Sequence, residues 1–89
     1  MIGKRVHYEG KVQGVGFRFT VRKIACEYDV RGTVRNLSDG RVELLAEGEA
    51  SEVEAFLLGI RESVLAGHIK NEEIEDSPLQ QFRGFQIIG

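Results

Sequence analysis

The 89-residue sequence has no tryptophan, one cysteine, one proline and no long apolar run. Because Cys26 is the only cysteine, an intramolecular disulfide is excluded and a hydrophobic core must stabilise the fold. No stretch reaches the roughly 18 apolar residues of a transmembrane helix, so we expect no membrane association. The first residues also lack the apolar segment of a signal peptide, and we therefore expect a cytoplasmic protein.

Hydrophobic residues make up 42% of the chain and charged residues 29%, which is typical of a globular protein. A chain of this length can bury one small core, so we expect a single domain over residues 1–89, and a monomer by default. The sequence pI near 5.7 argues against a dedicated nucleic-acid-binding domain, whose pI is usually above about 9. These properties favour a small soluble globular domain.

Charge is unevenly divided along the chain. Residues 1–41 contain nine Lys/Arg and four Asp/Glu, whereas residues 42–89 contain three and ten. The positive first half suggests an anionic ligand near it, although a solvated basic surface would give the same composition.

Hydrophobic periodicity predicts a strand, a helix and a hairpin in the first half of the chain. Apolar and polar residues alternate over residues 5–12, as in a half-buried strand. Helical spacing then relates Phe17, Val21, Ile24, Ala25 and Tyr28. The segments VRGTVRNL and RVELLAEG predict two strands joined by a two-residue Asp-Gly turn.

The second half predicts one more helix and two strands. Val53, Phe56, Leu57, Ile60 and Val64 have helical spacing, with Ser51 as the candidate N-cap. The charged segment HIKNEEIEDSP predicts an edge strand that Pro78 breaks, and GFQIIG predicts a short closing strand. The order β-α-β-β-α-β predicts an α+β, ferredoxin-like split βαβ fold, an antiparallel sheet of four to five strands with both helices on one face.

The segment GKVQGVGFR joins the first strand to the first helix and has an unusual composition for a helix start. Four backbone N–H groups need acceptors there, but no Ser, Thr, Asp or Asn lies between Val12 and Arg18. The first turn instead carries Arg18, whose charge opposes the helix dipole. Gly14 and Gly16 permit left-handed backbone and close approach of a ligand. We interpret the missing acceptor as a bound anion that Arg18 also binds.

A tight structural turn that requires glycine would also explain Gly14 and Gly16, without any bound ligand. The Walker motif is absent, and Phe19 stands where a dinucleotide-binding motif requires its third glycine. The segment is therefore no common nucleotide-binding loop, and a structural turn remains an alternative at this point.

The segments GKVQGVGFR (10–18) and VRNLSDGRVELLAEG (34–48) resemble the acylphosphatase family. The family signature is a V-Q-G-V-x-F-R run followed by an asparagine near the end of the second strand. The resemblance implies a small, cofactor-free and metal-free enzyme that hydrolyses the carboxyl–phosphate bond of acyl phosphates. It implies phosphate binding by Gln13, Gly14, Val15, Gly16, Phe17 and Arg18, with Arg18 essential and Asn36 holding the attacking water.

The resemblance has two departures. Thr33 follows Gly32 where many family members have an aromatic residue, and residues 64–70 lack the usual Gly/Pro-rich turn. Two other functions remain open on the fold alone, a non-catalytic module that binds phosphate or nucleic acid and a non-catalytic interaction or regulatory domain. An RNA-binding module would need exposed aromatic residues on the middle strands, and RVELLAEG has none.

The remaining polar candidates are expected to be structural. We expect His7 on the exposed face of the first strand, His68 in a loop and Cys26 as a packed thiol. Neither histidine has partners at metal-ligand spacing. The acidic cluster Glu72, Glu73, Glu75 and Asp76 is expected to be a solvated edge that discourages strand pairing.

Overall fold

Two α-helices cover one five-stranded sheet in the computed structural model, which describes residues 1–89. The strands are β1 (Ile2–Gly10), β2 (Val30–Asn36), β3 (Val42–Gly48), β4 (Ile69–Asp76) and β5 (Phe85–Ile87). The helices are α1 (Phe17–Ala25) and α2 (Ala50–Arg61), with a short 3-10 helix at Val64–His68. The predicted order of elements is confirmed, including the extra strand at the end.

The strand order across the sheet is β4-β1-β3-β2-β5. Strands β1 and β2 both pair with β3 in antiparallel register, so β3 lies between the two strands that α1 connects. This is the split βαβ arrangement that the sequence predicts. The fifth strand differs from expectation, because β5 pairs with β2 in parallel and makes the sheet mixed.

The apolar faces of the sheet and of both helices form one core. Phe17, Val21 and Ala25 of α1 are buried, as their helical spacing predicts. Tyr8 on β1 is fully buried, and its ring centroid lies 5.2 Å from that of Phe17. This aromatic pair joins the end of β1 to the first residue of α1, so the connection between them has two fixed ends.

Three local predictions are wrong in detail. Helix α2 ends at Arg61, so Val64 is 83% exposed instead of continuing the apolar stripe. The N-cap residue of α2 is Glu49 and not Ser51, and no side chain caps the helix. Ser51 lies inside the helix. The β2–β3 loop has three residues between Leu37 and Arg41, because the N–H of Leu37 donates to the Arg41 carbonyl. Sequence periodicity does not specify where such ends fall.

A long connection carries the chain from β4 at one edge of the sheet to β5 at the other. The buried carboxylate of Glu47 accepts hydrogen bonds from the backbone N–H groups of Gln80 (2.8 Å) and Phe82 (2.7 Å). The N–H of Gly32 then donates to the Gly84 carbonyl. One buried side chain of β3 therefore anchors the crossing segment.

Neither helix has the length and hydropathy needed to cross a bilayer.

The acidic strand β4 forms an edge of the sheet, and Glu73, Glu75 and Asp76 on it are exposed. The predicted solvated edge is confirmed for these three residues. Glu72 differs, since it is half-buried and accepts a hydrogen bond from Arg61 of α2 at 3.0 Å.

Candidate active site

Helix α1 begins without a side-chain cap. Its N-cap is Gly16 in the left-handed region (φ 75°, ψ 19°), and no acidic residue lies in the first turn. Gly14 also has a positive φ of 77°. A Cβ added at either glycine would meet no atom within 4 Å, so the backbone angle and not crowding requires glycine. The sequence-based interpretation of an uncapped helix start is confirmed.

Backbone N–H groups accumulate along this connection without acceptors in the protein. The helical ladder starts only with Thr20, whose N–H donates to the Gly16 carbonyl. The N–H groups of Gly14, Val15 and Gly16 donate to no other backbone or side-chain group. The first-turn N–H groups of residues 17–19 have no intrahelical acceptor either. Residues 14–16 are exposed, so a ligand from solvent can reach this array of donors.

Arg18 adds a positive charge next to these donors. Its side chain is half-buried and takes part in none of the ion pairs of the structure. Four other cations of the basic first half have acidic partners and four, like Arg18, have none, so what distinguishes Arg18 is its place beside the free N–H groups. The positive end of the helix dipole points in the same direction as the free N–H groups. Arrays of this kind bind phosphate and carboxylate.

Asn36 is the last residue of β2, directly before the β2–β3 turn. It is paired with Val42 of β3, and Val42 is paired with Tyr8 of β1, so the three residues form one row across the sheet. The Oδ1 atom of Asn36 is buried and has no hydrogen-bond partner. An unpaired buried acceptor costs about 1–3 kcal/mol and is uncommon unless it has another role. The fold therefore holds a polar, incompletely paired side chain at this end of the sheet.

Gln13 connects the glycine-containing segment to the β2–β3 turn. Its Nε2 atom donates to the Leu37 carbonyl at 2.8 Å and to the Arg41 carbonyl at 3.0 Å. These two residues flank the turn that follows Asn36. The predicted site residues from 13 to 18 and Asn36 are thus held at the same end of the sheet. Sequence reasoning missed this contact, although Gln13 is the only polar side chain between Val12 and Phe17.

The predicted phosphate-binding segment receives different contributions from its side chains. The amide of Gln13 is already engaged and the ring of Phe17 is 1% exposed, so neither of these two side chains is available to a ligand. Thr33 neighbours Val34, whose side chain is in the core, and successive side chains on a strand alternate between faces. Thr33 therefore lies on the face opposite Asn36, and its departure from the family pattern does not alter this site directly.

A surface cleft of about 370 Å³ lies beside this site, between the end of β1 and the β2–β3 turn. Its charged lining residues are Glu9, Asp39 and Arg41, and Arg41 is paired with Asp39 at 2.8 Å. Two hydrogen bonds from Arg41 lower the pKa of Asp39. The bond from the Arg41 backbone N–H has the larger effect and the bond from its side chain the smaller. Since two carboxylates face this cleft, it is unsuited to an anion, in contrast to the helix start.

The other polar candidates, His7 and Cys26, have surroundings that differ from those expected. His7 is half-buried and not exposed as expected, because its Nε2 lies 3.0 Å from Glu43 Oε2. Burial opposes ionisation of Glu43, but hydrogen bonds from His7 and Arg35 outweigh it and lower the pKa of this carboxyl. The expectation of a packed Cys26 thiol is wrong, since this residue is exposed.

His68 ends the 3-10 helix that replaces the expected loop. No group of three or more His, Cys, Asp or Glu side chains could hold a metal ion. The middle strands β1 and β3 carry one aromatic residue, Tyr8, and it is fully buried. These strands therefore lack the exposed stacking platform of an RNA-binding module.

Comparison with known proteins identifies relatives over nearly the whole chain. A family model described as Acylphosphatase matches residues 4–87. The chain is 39% identical to an acylphosphatase of Acaryochloris marina, with 89% of this chain and 85% of that protein covered. It is 32% identical to an acylphosphatase of Archaeoglobus fulgidus, with 98% of each chain covered. The fold superposes on the crystal structure of acylphosphatase from Bacillus subtilis with a TM-score of 0.91, 32% identity and complete coverage of both chains.

Proposed function

The chain belongs to the acylphosphatase family, and from this membership we propose how its residues hydrolyse an acyl phosphate. The activity is that of a hydrolase acting on small-molecule acyl phosphates. We propose that residues 13–18 bind the phosphate group and that Asn36 holds the attacking water. The observation that carries this proposal is the array of unpaired N–H groups beside the unpaired Arg18.

The phosphate takes the position that a side-chain cap occupies in other helices. Its oxygens accept hydrogen bonds from the backbone of residues 14–18, and the guanidinium of Arg18 donates two parallel bonds. Charge on the phosphoryl oxygens is stabilised by the same donors in the transition state. Because the donors are fixed before the substrate arrives, no reorganisation is needed during the reaction.

Asn36 positions the attacking water and contributes no charge to the site. Phosphoryl transfer requires the attacking water to lie in line with the leaving oxygen. A neutral amide can accept from or donate to a water without changing its own ionisation state. The Gln13 hydrogen bonds support this role, because they join the turn after Asn36 to the phosphate-binding segment. Holding the water at the correct place supplies much of the rate enhancement.

No general acid is required at this site. The leaving group of an acyl phosphate is a carboxylate, whose conjugate acid has a pKa of ~4. It departs as an anion at neutral pH without receiving a proton. A site without His, Asp or Glu in the phosphate-binding segment is therefore sufficient, and no metal or cofactor enters the proposed mechanism.

The proposal extends to the domain organisation, oligomeric state, cellular location and product inhibition of the enzyme. We expect one catalytic domain over residues 1–89 that acts as a monomer in the cytoplasm. Inorganic phosphate is the product and, since it has the charge and shape of the bound group, it is also a competitive inhibitor.

The proposal is tested by hydrolysis of benzoyl phosphate in the presence of EDTA, with inorganic phosphate as inhibitor. We expect full turnover after metal removal and competitive inhibition by phosphate, because substrate and product occupy the same donors. Loss of turnover with EDTA, or phosphate inhibition that leaves KM unchanged, would contradict the proposal.

A further inference from the structure

We propose that Gln13 is a positioning residue that sets the place of Asn36 relative to the bound phosphate. The inference rests on the proposed function and adds a role that neither the phosphate-binding segment nor Asn36 has alone. Gln13 precedes the first glycine of the phosphate-binding segment, and the turn that it contacts follows Asn36 directly. One side chain therefore joins the part that binds the phosphate to the part that holds the water.

The contact leaves the turn little freedom. The two N–H groups of the Gln13 amide bind the carbonyls of Leu37 and Arg41. Each carbonyl also accepts a backbone bond, from the N–H of Gly40 at 3.2 Å and of Leu37 at 2.8 Å respectively. A carbonyl oxygen has two lone pairs, so both carbonyls are saturated. The base of the turn is thus closed by a complete set of hydrogen bonds.

The link is long-range in sequence. Gln13 and Leu37 are 24 residues apart, and the covalent path between them runs through α1 and the whole of β2. Without the Gln13 amide, the distance from phosphate to water would depend on this path and on the sheet. A small displacement matters, because misplacing a reacting group by about 1 Å can cost on the order of 10²-fold in rate.

Direct binding of phosphate by the Gln13 side chain would demand its N–H groups, which the turn already uses. Its remaining polar atom, Oε1, is an acceptor and is unsuited to an anion. The two roles make different kinetic predictions. A phosphate ligand affects phosphate affinity, whereas a positioning residue affects kcat through Asn36.

The test replaces Gln13 by methionine, which is similar in length but has no N–H donor. We expect Gln13→Met to lower kcat for benzoyl phosphate by about 10-fold, with the inhibition constant of inorganic phosphate within about 2-fold of wild type. Combined with Asn36→Ala, it is expected to lower kcat no further than Asn36→Ala does, because both act through the same water. Gln13→Asn, which keeps the amide on a shorter side chain, is a second variant with the same expected direction if the methionine variant folds poorly.

Glu47→Gln is the matched control. Like Gln13, Glu47 makes two hydrogen bonds to distant backbone groups, here as the acceptor, but it lies near the opposite end of β3 from Val42. It is expected to lower the melting temperature without changing kcat below that temperature. A general loss of rigidity would lower kcat in both variants, and this result would overturn the inference.

Two further outcomes separate this inference from the function on which it rests. If the wild-type protein does not hydrolyse benzoyl phosphate, the proposed function fails. If the wild type is active but Gln13→Met mainly weakens phosphate inhibition, the positioning role is wrong while the function stands. The same holds if the losses of kcat from Gln13→Met and Asn36→Ala multiply in the double variant.

Discussion

Replacing Arg18 by alanine is expected to lower kcat/KM for acyl phosphates by about 10³-fold or more, since an arginine that stabilises transition-state charge contributes about 10³–10⁵-fold to phosphoryl transfer in other enzymes. The lost interaction is strongest in the transition state, where charge on the phosphoryl oxygens develops next to the guanidinium. The fold should survive, because Arg18 is only half-buried and forms no ion pair. Steady-state kinetics with benzoyl phosphate measure the loss, and circular dichroism verifies the fold.

Arg22→Ala is the matched control for this variant. Arg22 lies on the same helix one turn later, is exposed and carries the same charge. It removes the same net charge from α1 without removing a donor from the phosphate-binding segment. We expect it to retain nearly wild-type kcat/KM. Equal losses in the two variants would mean that net charge, and not a specific contact by Arg18, drives the activity.

Replacing Asn36 by alanine is expected to lower kcat by roughly 10²-fold while KM changes little. The reason is that, in the proposed mechanism, the phosphate donors are all on residues 14–18, whereas Asn36 positions the water. The variant should not be destabilised by a lost hydrogen bond at Oδ1, since this atom has no partner in the folded protein. Kinetics and thermal unfolding of the same preparation provide both measurements.

Asn71→Ala is the control for the second variant. Asn71 is an exposed asparagine on β4, and its replacement should leave both kcat and KM unchanged. If Asn36→Ala instead raised KM with kcat intact, Asn36 would be a substrate-binding residue and the water-holding role would be wrong.

The order of elements could be predicted from sequence because each element carries its own periodicity. Phe17, Val21 and Ala25 are spaced as a helix and are all buried on one face of it. The end of α2 and the length of the β2–β3 loop could not be predicted, because they depend on contacts between distant segments. The parallel pairing of β5 is of the same kind, since it depends on how residues 77–84 cross the sheet.

The candidate site was only partly visible in the sequence. The uncapped helix start follows from local composition, because no acceptor side chain lies between Val12 and Arg18. The importance of Asn36 came from family resemblance, since an asparagine before a turn is common on its own. The Gln13 contact could not be predicted, because it joins residues 24 positions apart and depends on the register of the sheet.

The central claim is that a phosphate group completes the uncapped start of α1. It is tested most directly by titrating ¹⁵N-labelled protein with inorganic phosphate in EDTA while recording amide chemical shifts. The account predicts saturable shifts concentrated at residues 14–19, with a dissociation constant equal to the inhibition constant for phosphate. Shifts that cluster elsewhere in the protein, with residues 14–19 unaffected, would contradict it.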